Sequence, residues 1–363
     1  MQDLTLQIRS VHGVGVDEAD GADARCCEVQ RRRASEAAGS EQEGRLRARE
    51  IEERLEAAAS IREPDRWSRT VEDLARRYVE RMRDTPDDLD FISDFAGRMP
   101  MDVISELMGV PESDREELRR LSDLLVHREE GIRDVPPEGA AAALDLVVYY
   151  SDMLAQRRAR PTDDLTSALL AVEIDGDRLT DEEIIGVLFL LVVAGNETTT
   201  KLLANAWYWA WRFPDQRAKP FADPARIPQW IEETLRYDTS SQMLARTATV
   251  DIPAHGGTIP AGDRVLLLVG SANRDRRAFT APDVYDLDRP EPLPQLASFG
   301  FGRHYCMGAS LARLEARVAL EELLAAFSDY DIDPDGLERV HSVNVRGFSK
   351  VPTSVTLRSG GNR

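Results

Sequence analysis

The stretch between Thr180 and Pro214 constrains the fold more than any other part of this sequence. Thr180-Asp181-Glu182-Glu183 is a capping box, with threonine at the cap and a glutamate three residues on. Residues 184–194 then carry no charged or polar side chain, the composition of a helix buried all round. The pattern runs on through Thr198, Leu202 and Trp209 to Phe213, and Pro214 stops it. Roughly 33 residues at ~1.5 Å each make a rod of about 50 Å, enough to cross a whole domain.

Shorter helices flank that rod. Val71, Leu74, Tyr78 and Met82 recur at spacings of three and four, the mark of an amphipathic helix. Residues 91–108 repeat this behaviour, and Asp114 opens another helix after Val110-Pro111-Glu112-Ser113. Residues 140–158 read as helix, Thr162-Asp163-Asp164-Leu165 as a capped helix start, and Pro228 as a first-turn proline. Residues 246–269 change character: 247–252 alternate, and a turn at 259–263 precedes an apolar run, a small β region. Leu311, Leu314 and Val318 carry a last helix towards Phe327, and residues 340–357 are strand-like. The expected architecture is mainly α with a minor β component, one domain over residues 67–363. Residues 1–66 hold no Phe, Tyr or Trp. Their helical candidate, 45–59, has a thin apolar face, so a flexible or loosely attached segment is expected there.

A net charge of −19 disfavours nucleic acid and anionic membrane surfaces as partners. The longest apolar run is 11 residues, too short to span a bilayer. The three cysteines include the adjacent Cys26 and Cys27, and imply no disulfide framework. With no apolar opening segment, the expected setting is cytoplasmic.

The third cysteine lies in Phe299-Gly300-Phe301-Gly302-Arg303-His304-Tyr305-Cys306-Met307-Gly308. Three glycines let the backbone turn tightly and approach something flat. The following helix offers its positive end to a thiolate. A single thiolate without a second cysteine or a histidine pair nearby fits an axial haem ligand better than zinc; a structural cysteine in a glycine-rich turn is the plain alternative. The run Phe-Gly-x-Gly-x-His-x-Cys-x-Gly resembles the haem-binding loop of the cytochrome P450 family of haem-thiolate monooxygenases. The resemblance implies that family's fold, with its long central helix over haem b. It implies Cys306 as iron ligand, Phe299 and Gly300 against the porphyrin, and His304 on a propionate.

Two further segments carry the resemblance. On the residues alone, Ala194-Gly195-Asn196-Glu197-Thr198 is either a rod that surfaces with Glu197 in solvent or an acid and a hydroxyl facing a wet cavity. Gly195 would then leave room for a flat ligand. The segment resembles the family's oxygen-activation motif, in which Glu197 and Thr198 would deliver protons, with Ala194 and Gly195 against the haem. Glu233-Thr234-Leu235-Arg236 reads alone as a solvated pair on one helix face. It resembles the family's Glu-x-x-Arg, which with Arg289 would lock the segment before the cysteine loop. Arg246 matches a propionate-binding arginine, against a surface reading of the same residue. Met243, Leu244 and Phe348 fall where relatives line the substrate pocket, though such apolar residues serve equally as core. The other histidines, at 12, 127, 255 and 341, show no ligand spacing.

The resemblance runs from about Trp67 to the carboxyl end. The family's helix bearing a Trp or His and an Arg for the propionates is not identified in residues 1–66. The implied activity is insertion of one oxygen atom from O2 into a hydrophobic small molecule. Electrons would come from a ferredoxin-type donor with its reductase, docked near Arg303, Arg313 and Arg317. A haem protein without turnover, and a peroxygenase, are the other readings.

Overall fold

The computed structural model describes residues 64–128, 134–174, 176–254, 256–342 and 344–358. The expectations for residues 45–59, Cys26, Cys27, His12 and His255 lie outside them. In chain order the elements are α1 (Pro64–Asp84), β1 (Leu89–Asp90), a π-helical turn (Ile92–Ala96), α2 (Met99–Met108), α3 (Arg115–Val126), α4 (Pro137–Ala159) and α5 (Leu165–Ala171). The hairpin β2 (Glu173–Ile174) and β3 (Asp177–Arg178) precedes α6 (Asp181–Arg212), α7 (Pro214–Ala222) and α8 (Ile227–Tyr237). Strands β4 (Leu244–Thr247), β5 (Ile252–Ala254), β6 (Gly257–Ile259) and β7 (Arg264–Leu267) follow, then α9 (Val269–Ala272) and α10 (Ala309–Ala326). The chain closes on β8 (Phe327–Ile332), β9 (Glu338–Arg339), β10 (Phe348–Lys350) and β11 (Pro352–Leu357).

Helix α6 is the expected rod. Its capping box forms in full: the Glu183 backbone N–H donates to Thr180 Oγ1 at 3.3 Å, and the Thr180 N–H donates to Glu183 Oε2 at 2.8 Å. The rod threads two hydrophobic cores. Ile184, Leu188 and Val192 pack among α2 to α5. Leu202, Leu203 and Trp207 pack with α1, α8, α10 and β8. The Trp207 ring lies between Phe91 at 4.9 Å and Tyr330 at 3.5 Å, both stacked, which pins the rod to the β8–β11 sheet.

Three expectations change. Residues 91–108 are not one helix: the π-helical turn ends at Gly97, and α2 starts afresh with Pro100 in its first turn. The alternation at 247–252 is not one strand: β4 ends at Thr247 and pairs with β7, whereas β5 starts at Ile252 and pairs with β6. Residues 184–194 are not buried all round, for Leu190 is 57% exposed and Ala194 is exposed. At 3.6 residues per turn Gly186, Leu190 and Ala194 fall on one face, and the packed elements leave that face uncovered. Among the described residues α6 is long and apolar enough to cross a membrane by length and composition, with 61% of its most apolar window buried in the fold.

Glu315 on α10 is 2% exposed, and its Oε2 has no hydrogen-bond partner. Burial raises its pKa well above the ordinary carboxyl value. A raised folded-state pKa means stability is full below the unfolded value, near pH ~4, and is lost as pH climbs above it. Melting temperature measured against pH should therefore fall from acid to neutral for the parent. Glu315→Gln should remove that slope, corresponding to about 1–3 kcal/mol at neutral pH.

Candidate functional site

The cysteine loop is a closed backbone structure. Cys306 N–H donates to Phe299 O at 2.8 Å, Gly300 N–H to Ala297 O at 2.8 Å, and Tyr305 N–H to Gly302 O at 3.1 Å. Gly300 and Gly302 take φ of +73° and +66°, the left-handed region that side chains resist. The loop enters α10 directly, and the exposed Cys306 thiol has the backbone N–H groups of Gly308 and Ala309 beside it. Partial burial pushes the thiol pKa up; those two N–H groups and the Arg313 guanidinium pull it down less strongly. The expected thiolate is therefore not secured by the helix end alone. Coordination to a metal deprotonates such a thiol outright.

The segment before the loop is anchored to α8. Arg236, 0% exposed, donates from Nε and Nη2 to Glu233 at 2.7 and 2.8 Å. Arg289 Nε donates to the same carboxylate at 2.9 Å, as does the Asp286 N–H at 2.8 Å. The remaining guanidinium donors reach the carbonyls of Thr280, Ala281, Pro282 and Val284. This buried network replaces the solvated pair that the spacing alone suggested. Asn273, which sequence reasoning passed over, completes it. Its carbonyl accepts from Arg236 at 3.2 Å, and its side chain bonds Ala297 N–H and Ser298 Oγ, two residues from the loop.

On α6, Glu197 is 5% exposed rather than solvated, 3.2 Å from Lys201 Nζ. Lys201 was missed, although an acid and a lysine four apart on one helix were visible. The Thr198 hydroxyl donates to Ala194 O at 2.8 Å, and the Thr198 carbonyl accepts from Ser240 at 2.7 Å. Gly195 does not leave room for a ligand: a Cβ there would meet the Ile104 side chain at 3.0 Å, so its missing side chain serves the contact with α2. Ala194, on the uncovered stripe, is the small residue that faces open space.

Arg246 is exposed on β4, donating to Ala245 O at 2.8 Å. His304 is exposed in the loop. Met243 and Leu244 are half-buried at the start of β4. Phe348 is a core residue, not a pocket wall: it is 2% exposed, with Tyr208 at 4.6 Å and the Arg339 guanidinium 3.7 Å over its ring. Arg313 and Arg317 are already ion-paired, to Glu232 and Glu321, and Arg313 also covers the Phe299 ring at 4.5 Å. The side chain of Arg303 lies outside the described residues.

Among the described residues no cluster of three metal-ligating side chains occurs. A lone soft sulfur on a rigid loop, with apolar and cationic surfaces nearby, suits a flat prosthetic group that brings its own metal. The donor set fits haem. The family's helix carrying further propionate ligands is not among the described residues; of the residues that the resemblance assigns to the propionates, Arg246 and His304 are described.

The family model of cytochrome P450 matches residues 227–344. A putative cytochrome P450 123 of Mycobacterium tuberculosis is 56% identical over 288 residues, 79% of this chain and 71% of that protein. CYP109E1 from Bacillus megaterium, solved in complex with testosterone, superimposes with a TM-score of 0.72 at 32% identity, covering 79% of this chain and 78% of that one. CYP109Q5 from Chondromyces apiculatus gives 0.76 at 33% identity, over 88% and 78%. The chain belongs to the cytochrome P450 family. It is accordingly a monooxygenase-type oxidoreductase whose cofactor is haem b.

Proposed function

We propose that this chain inserts one atom of O2 into a hydrophobic small molecule in the cytoplasm, using electrons from a ferredoxin-type protein and its reductase. The observation that carries this reading is the Cys306 thiol, presented outward on a loop that two left-handed glycines shape and the Glu233–Arg236–Arg289 network holds. Haem would supply the oxygen-activating chemistry when bound, and Cys306 would hold it through the thiol. Phe299 and Gly300 beside the thiol, and Leu190 and Ala194 on the uncovered stripe of α6, would hold the porphyrin. Arg246 and His304 would hold the propionates.

The Thr198 hydroxyl, tethered to Ala194 O, passes protons that Glu197 supplies from the cavity side of the helix. Met243 and Leu244 contribute apolar wall for the substrate. Because Arg313 and Arg317 already have carboxylate partners, an acidic electron donor must compete with Glu232 and Glu321 for them.

The test is a carbon monoxide difference spectrum of the reduced full chain supplied with haem. A thiolate-type spectrum is the expected result. A nitrogen-ligated spectrum, or no bound pigment, would overturn the assignment.

A further inference from the structure

Three backbone carbonyls in the middle of α6 accept from a hydroxyl. Thr198 Oγ1 donates to Ala194 O at 2.8 Å and Thr200 Oγ1 to Asn196 O at 2.9 Å, each reaching back one turn of its own helix. The third donor comes from outside. Ser240, in the linker between α8 and β4, donates to the Thr198 carbonyl at 2.7 Å.

Ser240 is 6% exposed, and the residues around it hold it in place. Its neighbour Asp238 accepts from Trp209 Nε1 at 2.8 Å through the carboxylate and from Asn205 Nδ2 at 2.9 Å through the carbonyl. Thr198, Asn205 and Trp209 stand at i, i+7 and i+11, close to whole turns, so they share one face of α6. The linker is therefore fastened along that face at three heights, with Ser240 as the last rung. From the other side, the Arg346 N–H donates to Ser240 O at 2.8 Å and the Gln242 N–H to Asn344 O at 2.9 Å. Arg346 Nε donates to Asp238 Oδ1 at 2.7 Å. A buried hydroxyl enclosed in this way keeps its direction, because breaking its bond would leave it unsatisfied. The same linker joins the two sides of the site. Upstream, α8 carries Glu233 and Arg236, which anchor the segment before the cysteine loop; downstream, Ser240 grips α6 at Thr198.

We infer that Ser240 is a positioning residue: its hydroxyl fixes the Thr198 peptide and, through it, the direction of the Thr198 hydroxyl. The inference rests on Thr198 being the proton-passing hydroxyl of the proposed function. A threonine inside a helix divides between two χ1 rotamers, so a small tilt of its peptide shifts that division. Ser240 acts on the reaction only by this route.

Infrared spectra of the reduced, haem-loaded full chain with carbon monoxide bound read this position without turnover, because the carbon–oxygen stretch responds to a hydroxyl dipole beside it. Thr198→Ala should shift the band. Ser240→Ala should broaden it and move it part of the way in the same direction. Ser240→Thr keeps the hydroxyl and should return the parental band. The double variant should give the band of Thr198→Ala alone, since a residue acting through Thr198 has nothing left to act on. A parental band in Ser240→Ala, a Ser240→Thr band equal to that of Ser240→Ala, or a double variant shifted beyond Thr198→Ala overturns the positioning role. An unmoved band in Thr198→Ala takes Thr198 itself away from the site, and the inference with it, so the two failures are told apart by the variant that shows them.

Discussion

Glu233→Ala should lower the stability of this protein by about 3–5 kcal/mol, the usual result of stripping one partner from a buried ion pair. Arg236 is 0% exposed and Arg289 side-chain exposure is 9%, so neither guanidinium can turn to water when the carboxylate goes. Their other donors are already committed to backbone carbonyls of the segment 273–284, which leaves the charge uncompensated. The Asp286 N–H would also lose its acceptor. An internal control is available on α3. Glu117 pairs with Arg120 at 2.6 Å, but both side chains are more than half exposed, and Glu117→Ala should cost at most about 0.5 kcal/mol. Chemical unfolding of the three proteins measures the contrast; equal losses would mean that the network carries no more than a surface pair. Because Asn273 and Ser298 link the network to the cysteine loop, Glu233→Ala should also weaken haem retention.

Cys306→Ser should abolish the thiolate-type carbon monoxide spectrum completely while leaving the fold in place. Cys306 is the one cysteine among the described residues. A conservative change at an exposed site should alter stability by no more than ~0.5 kcal/mol. Parent and variant therefore separate ligation from folding: unfolding curves coincide, and the reduced spectra differ. A variant with the parental spectrum would remove the sulfur from the iron.

Much of the site was legible because its chemistry is local in the chain. The ten residues from Phe299 to Gly308 contain the donor and the left-handed turns, and a helix starts directly after them. The capping box at Thr180 and the stop at Pro214 define α6 by short-range hydrogen bonds and sterics, and the rod forms between them. Residues far apart in sequence were another matter. Asp123 and Glu197 are 74 positions apart, and only the packing of α3 on α6 brings them to one cavity.

Apolar patterning sets which residues a helix would bury, not which faces neighbours arrive to cover. Leu190 read as core and stands exposed; Phe348, left open between pocket wall and core, is core, with Tyr208 and Arg339 against it. The lengths, ends and donor loop follow from interactions within a few residues, which a linear sequence states outright. Exposure, charge pairing and the use made of Gly195 depend on which distant side chain occupies the adjoining space, and that is settled when the elements pack.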